Sequence, residues 1–231
     1  MKTAAILVAA GSSARMKSGG ASKTMMEIGG EPVLSRTLRA FENAACISKI
    51  VIVARACDFD AIQKASAFVT KPLTITEGGK ERQDSVSHGA ALCGDAEYIA
   101  VHDAARPFIT PEEIETVCAD AEKYGAATLA VPVKDTIKVA DKEGYASHTP
   151  DRSYLWMVQT PQAFSYDLVY GAYEKLFREQ EFTGVTDDAM VVERETSQKV
   201  KLIPGSYKNI KVTTPEDLAI AELYLKENAG R

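Results

Sequence analysis

The sequence predicts an α/β fold: a mostly parallel sheet flanked by helices, forming a single domain over residues 1–231 with an inserted β-hairpin arm over 134–153. Three observations predict it. Apolar runs of strand length alternate with amphipathic stretches of helical length for most of the chain, the pattern of a sheet covered by helices. Runs such as Ile50-Val51-Ile52-Val53-Ala54 are continuously apolar, which implies burial on both faces of a strand. One segment breaks the order: Asp135 to Thr149 alternates apolar and polar residues about an Asp-Lys-Glu-Gly turn, as a hairpin does.

Taken in order, the first strand candidate is Ala4–Ala10. With Lys2 before it and Ser12-Ser13-Ala14 after it, the run imitates a secretory signal. Its apolar core is at the short end for that role and a Gly-containing basic loop follows at once, so it reads as a buried strand. Pro32 opens a helix with Leu34, Leu38, Phe41 and Ala45 on one face. The remaining strand candidates are Lys49–Ala54, Leu73–Thr76, Glu97–His102, Ala127–Val133, Lys199–Ile203 and Asn209–Val212. Thr110-Pro111-Glu112-Glu113 and Thr214-Pro215-Glu216-Asp217 mark helix starts. Each supplies a hydroxyl for the free N–H groups of the first turn, a proline where no N–H is needed, and acids near the positive end of the helix dipole.

Composition narrows the function. The 231 residues are 45% hydrophobic and 26% charged, an ordinary globular balance that excludes a disordered or collagenous chain. Lys and Arg number 27 against 32 Asp and Glu, a net charge of -5. Nucleic acid is therefore not expected as a partner, and affinity for phosphates has to come from a local cluster of bases. No run approaches the roughly 18 apolar residues of a membrane span. Cys46, Cys57, Cys93 and Cys118 lack Cys-x-x-Cys spacing and the three histidines are scattered, which points to reduced thiols in a cytoplasmic protein and away from zinc.

The loop after the first strand, Gly11 to Lys23, carries Arg15, Lys17 and Lys23, no acid, and many small residues. Small residues let backbone N–H groups approach an oligophosphate, and the cations neutralise it. No Gly-Lys-Ser/Thr closes the loop, so it is not a P-loop. Ser13 and Met16 stand where a dinucleotide fingerprint needs glycines, which disfavours a nicotinamide dehydrogenase. A nucleoside triphosphate fits best. Further strand ends carry Gly78-Gly79 with Arg82 and Ser85, and Asp103 with Arg106, while Lys211 stands within the short strand candidate Asn209–Val212, where a surface lysine is the default reading. Such ends form the mouth of an open α/β sheet, where a carboxylate facing phosphates is plausible as a metal ligand or ribose contact.

Eight segments, in order, resemble the 2-C-methyl-D-erythritol 4-phosphate cytidylyltransferase family. They are Val8-Ala9-Ala10-Gly11 through Arg15-Met16; Gly78-Gly79 with Arg82 and Asp84-Ser85-Val86; His102-Asp103-Ala104-Ala105-Arg106-Pro107; Asp135-Thr136; Asp151-Arg152-Ser153-Tyr154-Leu155-Trp156; Gln159-Thr160-Pro161-Gln162; Thr186-Asp187-Asp188; and Asn209-Ile210-Lys211-Val212-Thr213. The resemblance implies a Rossmann-like nucleotidyltransferase fold, transfer of a cytidylyl group from CTP to 2-C-methyl-D-erythritol 4-phosphate, Mg2+, and a homodimer joined by the hairpin arm. The products would be 4-diphosphocytidyl-2-C-methylerythritol and pyrophosphate, on the non-mevalonate route to isoprenoids.

By position, the resemblance implies catalytic roles for Arg15, Lys23, Arg152 and Lys211. It implies nucleotide contacts from Ala9, Ala10, Gly11, Ser12, Ser13, Gly79, Arg82, Ser85, Asp103 and Ala104, with Asp103 also serving the metal. Arg106, Thr136, Arg152 and Thr186 would hold the phosphorylated sugar alcohol, the arm residues coming from the partner subunit. Two departures stand out: Ser13 replaces a second glycine, and Ser22-Lys23-Thr24 stands where Pro-Lys-Gln is usual, which leaves Lys17 as the alternative to Lys23. Since a phosphate monoester has its second pKa near 6, the nucleophile needs no general base, and His102 reads as structural. Ribitol 5-phosphate cytidylyltransferase is the alternative within the superfamily; Ala105 before Arg106 and Asp151-Arg152 with Leu155-Trp156 favour methylerythritol phosphate. A nucleotide-binding regulator without catalysis is the alternative outside it.

Overall fold

Strand β1 (Thr3–Val8) starts the chain's central sheet, and a small hairpin of β2 (Glu27–Ile28) and β3 (Glu31–Pro32) leads into helix α1 (Val33–Asn43). Then follow β4 (Ile47–Ala54), α2 (Phe59–Ala65), β5 (Leu73–Glu77), α3 (Arg82–Ala91), β6 (Tyr98–Asp103), α4 (Pro111–Tyr124) and β7 (Ala126–Pro132). The short β8 (Val139–Ala140) and β9 (Ala146–His148) precede β10 (Trp156–Ser165), α5 (Tyr166–Glu179), α6 (Asp188–Glu195), β11 (Lys201–Pro204) and α7 (Pro215–Ala229). The structure, a computed structural model, describes residues 2–11, 22–180 and 182–229.

Among the described residues the main sheet has the order β11-β7-β10-β6-β1-β4-β5. Its neighbours pair in parallel except for β10, which runs antiparallel to both β6 and β7. The continuously apolar strands are buried on both faces, as their sequence requires. Ala5, Leu7, Ile50 and Ile52 pack under α1, α2 and α4 through Leu34, Leu38, Phe41, Ile62 and Ile114. Their alternates Ala4, Ile6, Val51 and Val53 pack under α3, α5 and α6 through Val86, Val169, Tyr173 and Val192. Ile6 and Leu7 are fully buried, and each such side chain contributes about 1.5–3 kcal/mol relative to exposure.

Thr110 caps α4 as its sequence predicts: its hydroxyl accepts from the Glu113 N–H, and the Glu113 carboxylate accepts from the Thr110 N–H. Asp217 and Thr214 do the same for α7. The segment that imitates a secretory signal is the strand β1, central in the sheet.

Three expectations fail locally. Asn209–Val212 is not a strand: Asn209 N donates to Ser206 O and Ile210 N to Lys208 O, so the backbone turns on itself, and Val212 N alone reaches across to Ala105 O. Ala45 is exposed, because α1 ends at Asn43 and the following turn buries Ala44 instead. Strand β10 is not among the predicted strands. Pro161, which cannot donate to a ladder, sits where its register breaks between Val158 and Gln162, and that lets a proline occupy an interior strand.

Within the predicted arm, β8 and β9 pair antiparallel, Val139 opposite His148 and Ala140 opposite Ala146. Asp141 Oδ1 accepts from the N–H groups of Glu143 and Tyr145, and Gly144 supplies the positive φ of 89° that the turn needs.

Candidate functional site

The carboxyl ends of β1, β5 and β6 open on one side of the sheet, the mouth expected of a parallel α/β architecture. After β5 the chain turns at Gly78, where a Cβ would collide with the Ala10 methyl and the Ser85 hydroxyl. That close approach requires glycine. Ser85 Oγ accepts from Gly79 N at 3.1 Å and donates to Glu81 O at 3.1 Å. The turn is thereby fixed against the start of α3, where Glu81 and Asp84 form a reciprocal cap.

Two adjoining cavities lie here. One, of about 310 Å³, is lined among others by Ala10, Gly11, Lys23, Gly79, Arg82 and Ser85. The other, of about 270 Å³, is lined by Arg106, Val158, Gln159, Thr160, Gln162, Thr186 and Asp187. Arg82, Asp103 and Lys211 line both. The Lys23 ammonium lies beside Gly11. Ser22 and Thr24, which replace the usual Pro and Gln of the resembled motif, are buried and bond hydroxyl to hydroxyl at 2.8 Å, pinning the 3₁₀ turn that carries Lys23.

The shared wall is an ion cluster. Lys211 Nζ lies 2.7 Å from Asp103 Oδ2, with Arg106 Nε at 3.6 Å from the same oxygen and Arg82 Nε at 3.7 Å from Oδ1. Burial alone would raise the Asp103 carboxyl, but Lys211, Arg82 and Arg106 hold it well below the usual carboxylate range. Arg82 grips the fully buried Asp188 with both arms of its fork, at 2.8 and 2.7 Å. Burial opposes the Arg82 charge, and Asp188 more than restores it, so the guanidinium stays ionised. Asp188 is fixed in turn: Tyr173 OH donates to its Oδ1 at 2.5 Å, and Gln162 Oε1 accepts from the N–H groups of Asp188 and Ala189. The planar fork of Arg suits this two-point contact in a way that a lysine could not match.

Behind the wall, His102 is fully buried against Phe41, their ring centres 5.0 Å apart. Burial pushes its pKa down to about 3, so the ring is neutral, consistent with its structural reading.

Of the residues expected at the site, Ala10, Gly11, Lys23, Gly79, Arg82, Ser85, Asp103, Arg106, Thr186 and Lys211 line one cavity or both. Ala9 and Ala104 line neither: Ala9 N is spent on Val53 O and Ala104 N on Val8 O, which closes the strand ends behind the wall and leaves Ala105 to face the first cavity. Thr136 and Arg152 are exposed on the hairpin segment and line neither cavity of this chain; Arg152 Nη1 donates to Lys134 O. Ser12, Ser13, Arg15 and Lys17 lie outside the described residues. Asp188, Tyr173 and Asn209 had no role assigned from the sequence. The first and last stand in segments the resemblance quoted, but nothing local marks Tyr173, whose partner is 15 residues on and matters only once Arg82 has joined it.

An open, mostly parallel sheet with two cavities meeting at a wall of Arg82, Asp103 and Lys211 defines an α/β protein with a two-part, cation-lined site at its carboxyl edge. The sequence model of the IspD family, 2-C-methyl-D-erythritol 4-phosphate cytidylyltransferase, matches residues 3–227. A protein of that name from Caldanaerobacter subterraneus subsp. tengcongensis is 44% identical over 233 residues, covering 98% of this chain and 100% of its own. Another from Pelotomaculum thermopropionicum is 42% identical over 234 residues, covering 100% and 97%. The solved 4-diphosphocytidyl-2C-methyl-D-erythritol synthase of Anaerococcus prevotii superposes with a TM-score of 0.88 at 35% identity, over 97% of this chain and 96% of its own. The chain belongs to the 2-C-methyl-D-erythritol 4-phosphate cytidylyltransferase family, a family of nucleotidyltransferases.

Proposed function

We propose that this protein transfers the cytidylyl group of CTP to 2-C-methyl-D-erythritol 4-phosphate. A phosphate oxygen of the acceptor forms a bond to the α-phosphorus of CTP, the bond to the β-phosphate oxygen breaks, and pyrophosphate leaves. The observation that carries this reading is the wall of Arg82, Asp103 and Lys211 common to both cavities: ligands occupying the two spaces meet at Lys211. CTP takes the cavity of Gly11, Gly79 and Ser85, and the acceptor phosphate takes that of Arg106 and Thr186. The nucleophile is already ionised near pH 7, since its second pKa is about 6. The work left to the protein is to hold two polyanions together and to stabilise charge on the transferred phosphoryl group.

Lys23 and Lys211 supply that charge from this chain, with Arg15 from the first loop. Asp103 fits a Mg2+ held by one carboxylate together with phosphate oxygens, the usual mode for that ion; among the described residues no group of three or more His, Cys, Asp or Glu forms an all-protein cage. When bound, the ion neutralises triphosphate charge. The chain acts as one domain with the 134–153 arm reaching across a homodimer, so that Thr136 and Arg152 serve the partner's acceptor site. Their exposure, with that of Val139 and Tyr145 beside them, supports this. The free thiols of its cysteines accord with a cytoplasmic location, and no described helix is long and apolar enough to cross a membrane.

The test is pyrophosphate release with CTP and magnesium, run in parallel with methylerythritol phosphate and ribitol 5-phosphate. Turnover with methylerythritol phosphate alone is expected. Turnover with ribitol 5-phosphate alone would reassign the acceptor, and release with neither would overturn the transfer.

A further inference from the structure

His102 lines neither cavity, yet both ends of the turn that carries Asp103 and Arg106 lead to it. The Asp103 N–H lies 3.0 Å from Thr160 Oγ1, Thr160 Oγ1 lies 3.0 Å from His102 Nδ1, and His102 Nε2 lies 3.3 Å from Arg106 O. The donors follow from the two fixed partners. A carbonyl only accepts, so Nε2 carries a hydrogen to Arg106 O. The fully buried ring is neutral and has one N–H, so Nδ1 is bare and accepts from the Thr160 hydroxyl. A backbone N–H only donates, so the Thr160 oxygen also accepts from Asp103.

We propose that His102 is a positioning residue of the transfer site, held as the Nε2–H tautomer to fix the Asp103–Arg106 turn against Thr160. The turn itself is closed by Arg106 N donating to Asp103 O at 3.0 Å. On its far side Arg106 Nη1 donates to Asn209 O at 2.7 Å, and Asn209 Nδ2 to Thr160 O at 2.9 Å. Thr160 is therefore bound from both sides, and His102 completes the ring of contacts that sets where the Asp103 carboxylate and the Arg106 guanidinium stand. A ring that only filled space beside Phe41 would be replaceable by phenylalanine. A ring that fixes the turn would not be.

The kinetic half of the test rests on the proposed transfer reaction; the spectroscopic half does not. In the wild-type protein, 15N NMR of the histidine rings, assigned against His88 and His148 variants, should show His102 with a bare Nδ1 and a protonated Nε2. A protonated Nδ1 overturns the proposal whether or not the protein turns over CTP. In Thr160→Val the bare Nδ1 loses its hydrogen-bond donor and its signal should move, while Thr160→Ser should leave it in place. An unmoved signal in Thr160→Val also overturns it.

In kinetics, His102→Phe should lower kcat/KM for the acceptor by about tenfold or more, the size of one or two lost hydrogen bonds. The KM for methylerythritol phosphate should rise more than that for CTP, because Arg106 lines only the acceptor cavity. His102→Gln, whose amide can still donate to the Arg106 carbonyl, should recover part of the loss. A folded His102→Phe with wild-type constants overturns the proposal, and if that variant does not fold, the ring spectra of the wild type and the Thr160 pair decide. No release by the wild type would count against the transfer reading and leave the tautomer to be read on its own.

Discussion

The carboxyl edge of the sheet and the hairpin segment at 134–153 hold cations in opposite ways. At the sheet edge Arg82, Arg106 and Lys211 are set by buried partners of the same chain, and the Asp188 carboxylate has no exposed surface at all. On the hairpin segment Arg152 is exposed, and its side chain donates to the Lys134 carbonyl. Charges fixed in a low-dielectric wall need no rearrangement when an anion arrives, which is how preorganised sites stabilise developing charge. A solvated arginine on an arm gains comparable leverage only if something else covers it. One chain thus builds its cationic wall alone, whereas the role proposed for the arm requires a second chain.

The comparison is broken most severely at Asp188. Asp188→Ala takes from Arg82 its two-point partner and leaves it only the more distant Asp103, and removal of one partner of a buried pair costs about 3–5 kcal/mol. Urea denaturation should show a lowered midpoint of that size; a loss under 1 kcal/mol would mean the wall does not depend on this pair. Lys211→Ala comes next. It should lower kcat by roughly 10²–10³, or about 2.7–4 kcal/mol, with stability nearly unchanged because Asp103 keeps Arg82 and Arg106. Steady-state pyrophosphate release separates this from a binding role: a change confined to the KM for CTP would demote Lys211 to a ligand contact.

Arg152→Ala sharpens the other side. It should raise the KM for methylerythritol phosphate by about tenfold, near 1.4 kcal/mol, leave that for CTP unchanged, and shift stability by no more than about 0.5 kcal/mol as an exposed substitution. Light scattering on the same sample should give twice the 25.0 kDa chain mass; a monomer with Arg152 still required would refute exchange of the arm.

Much of this was legible in the sequence because it is local. Continuous apolar runs announced β1, β4 and β7, and Thr110 and Thr214 announced α4 and α7, since capping and two-faced burial act over a few residues. Gly78, Arg82 and Asp103 were legible as charged or small residues at or just past strand ends, and Lys211 only through the motif it shares with the resembled family. Strand β10 was not, because Pro161 contradicts a strand unless the register breaks around it. Asn209–Val212 misled because its apolar alternation suits a strand, while its backbone bonds go to Ser206, Lys208 and Ala105. Ala9 and Ala104 were assigned by position within a motif, and motif position does not say which of two adjacent alanines faces the cavity.

The α/β class, most of its elements and the identity of the cations can be read along the chain, because periodicity, capping and charge are local. Which carboxylate each cation meets cannot, because it depends on packing between distant segments. Arg82 finds Asp188 across 106 residues, and Lys211 finds Asp103 from the segment after β11. The parallel sheet gathers the ends of β5 and β6 that carry Arg82 and Asp103, the packing of α6 brings Asp188 to them, and burial there makes an unpaired charge too costly to leave alone.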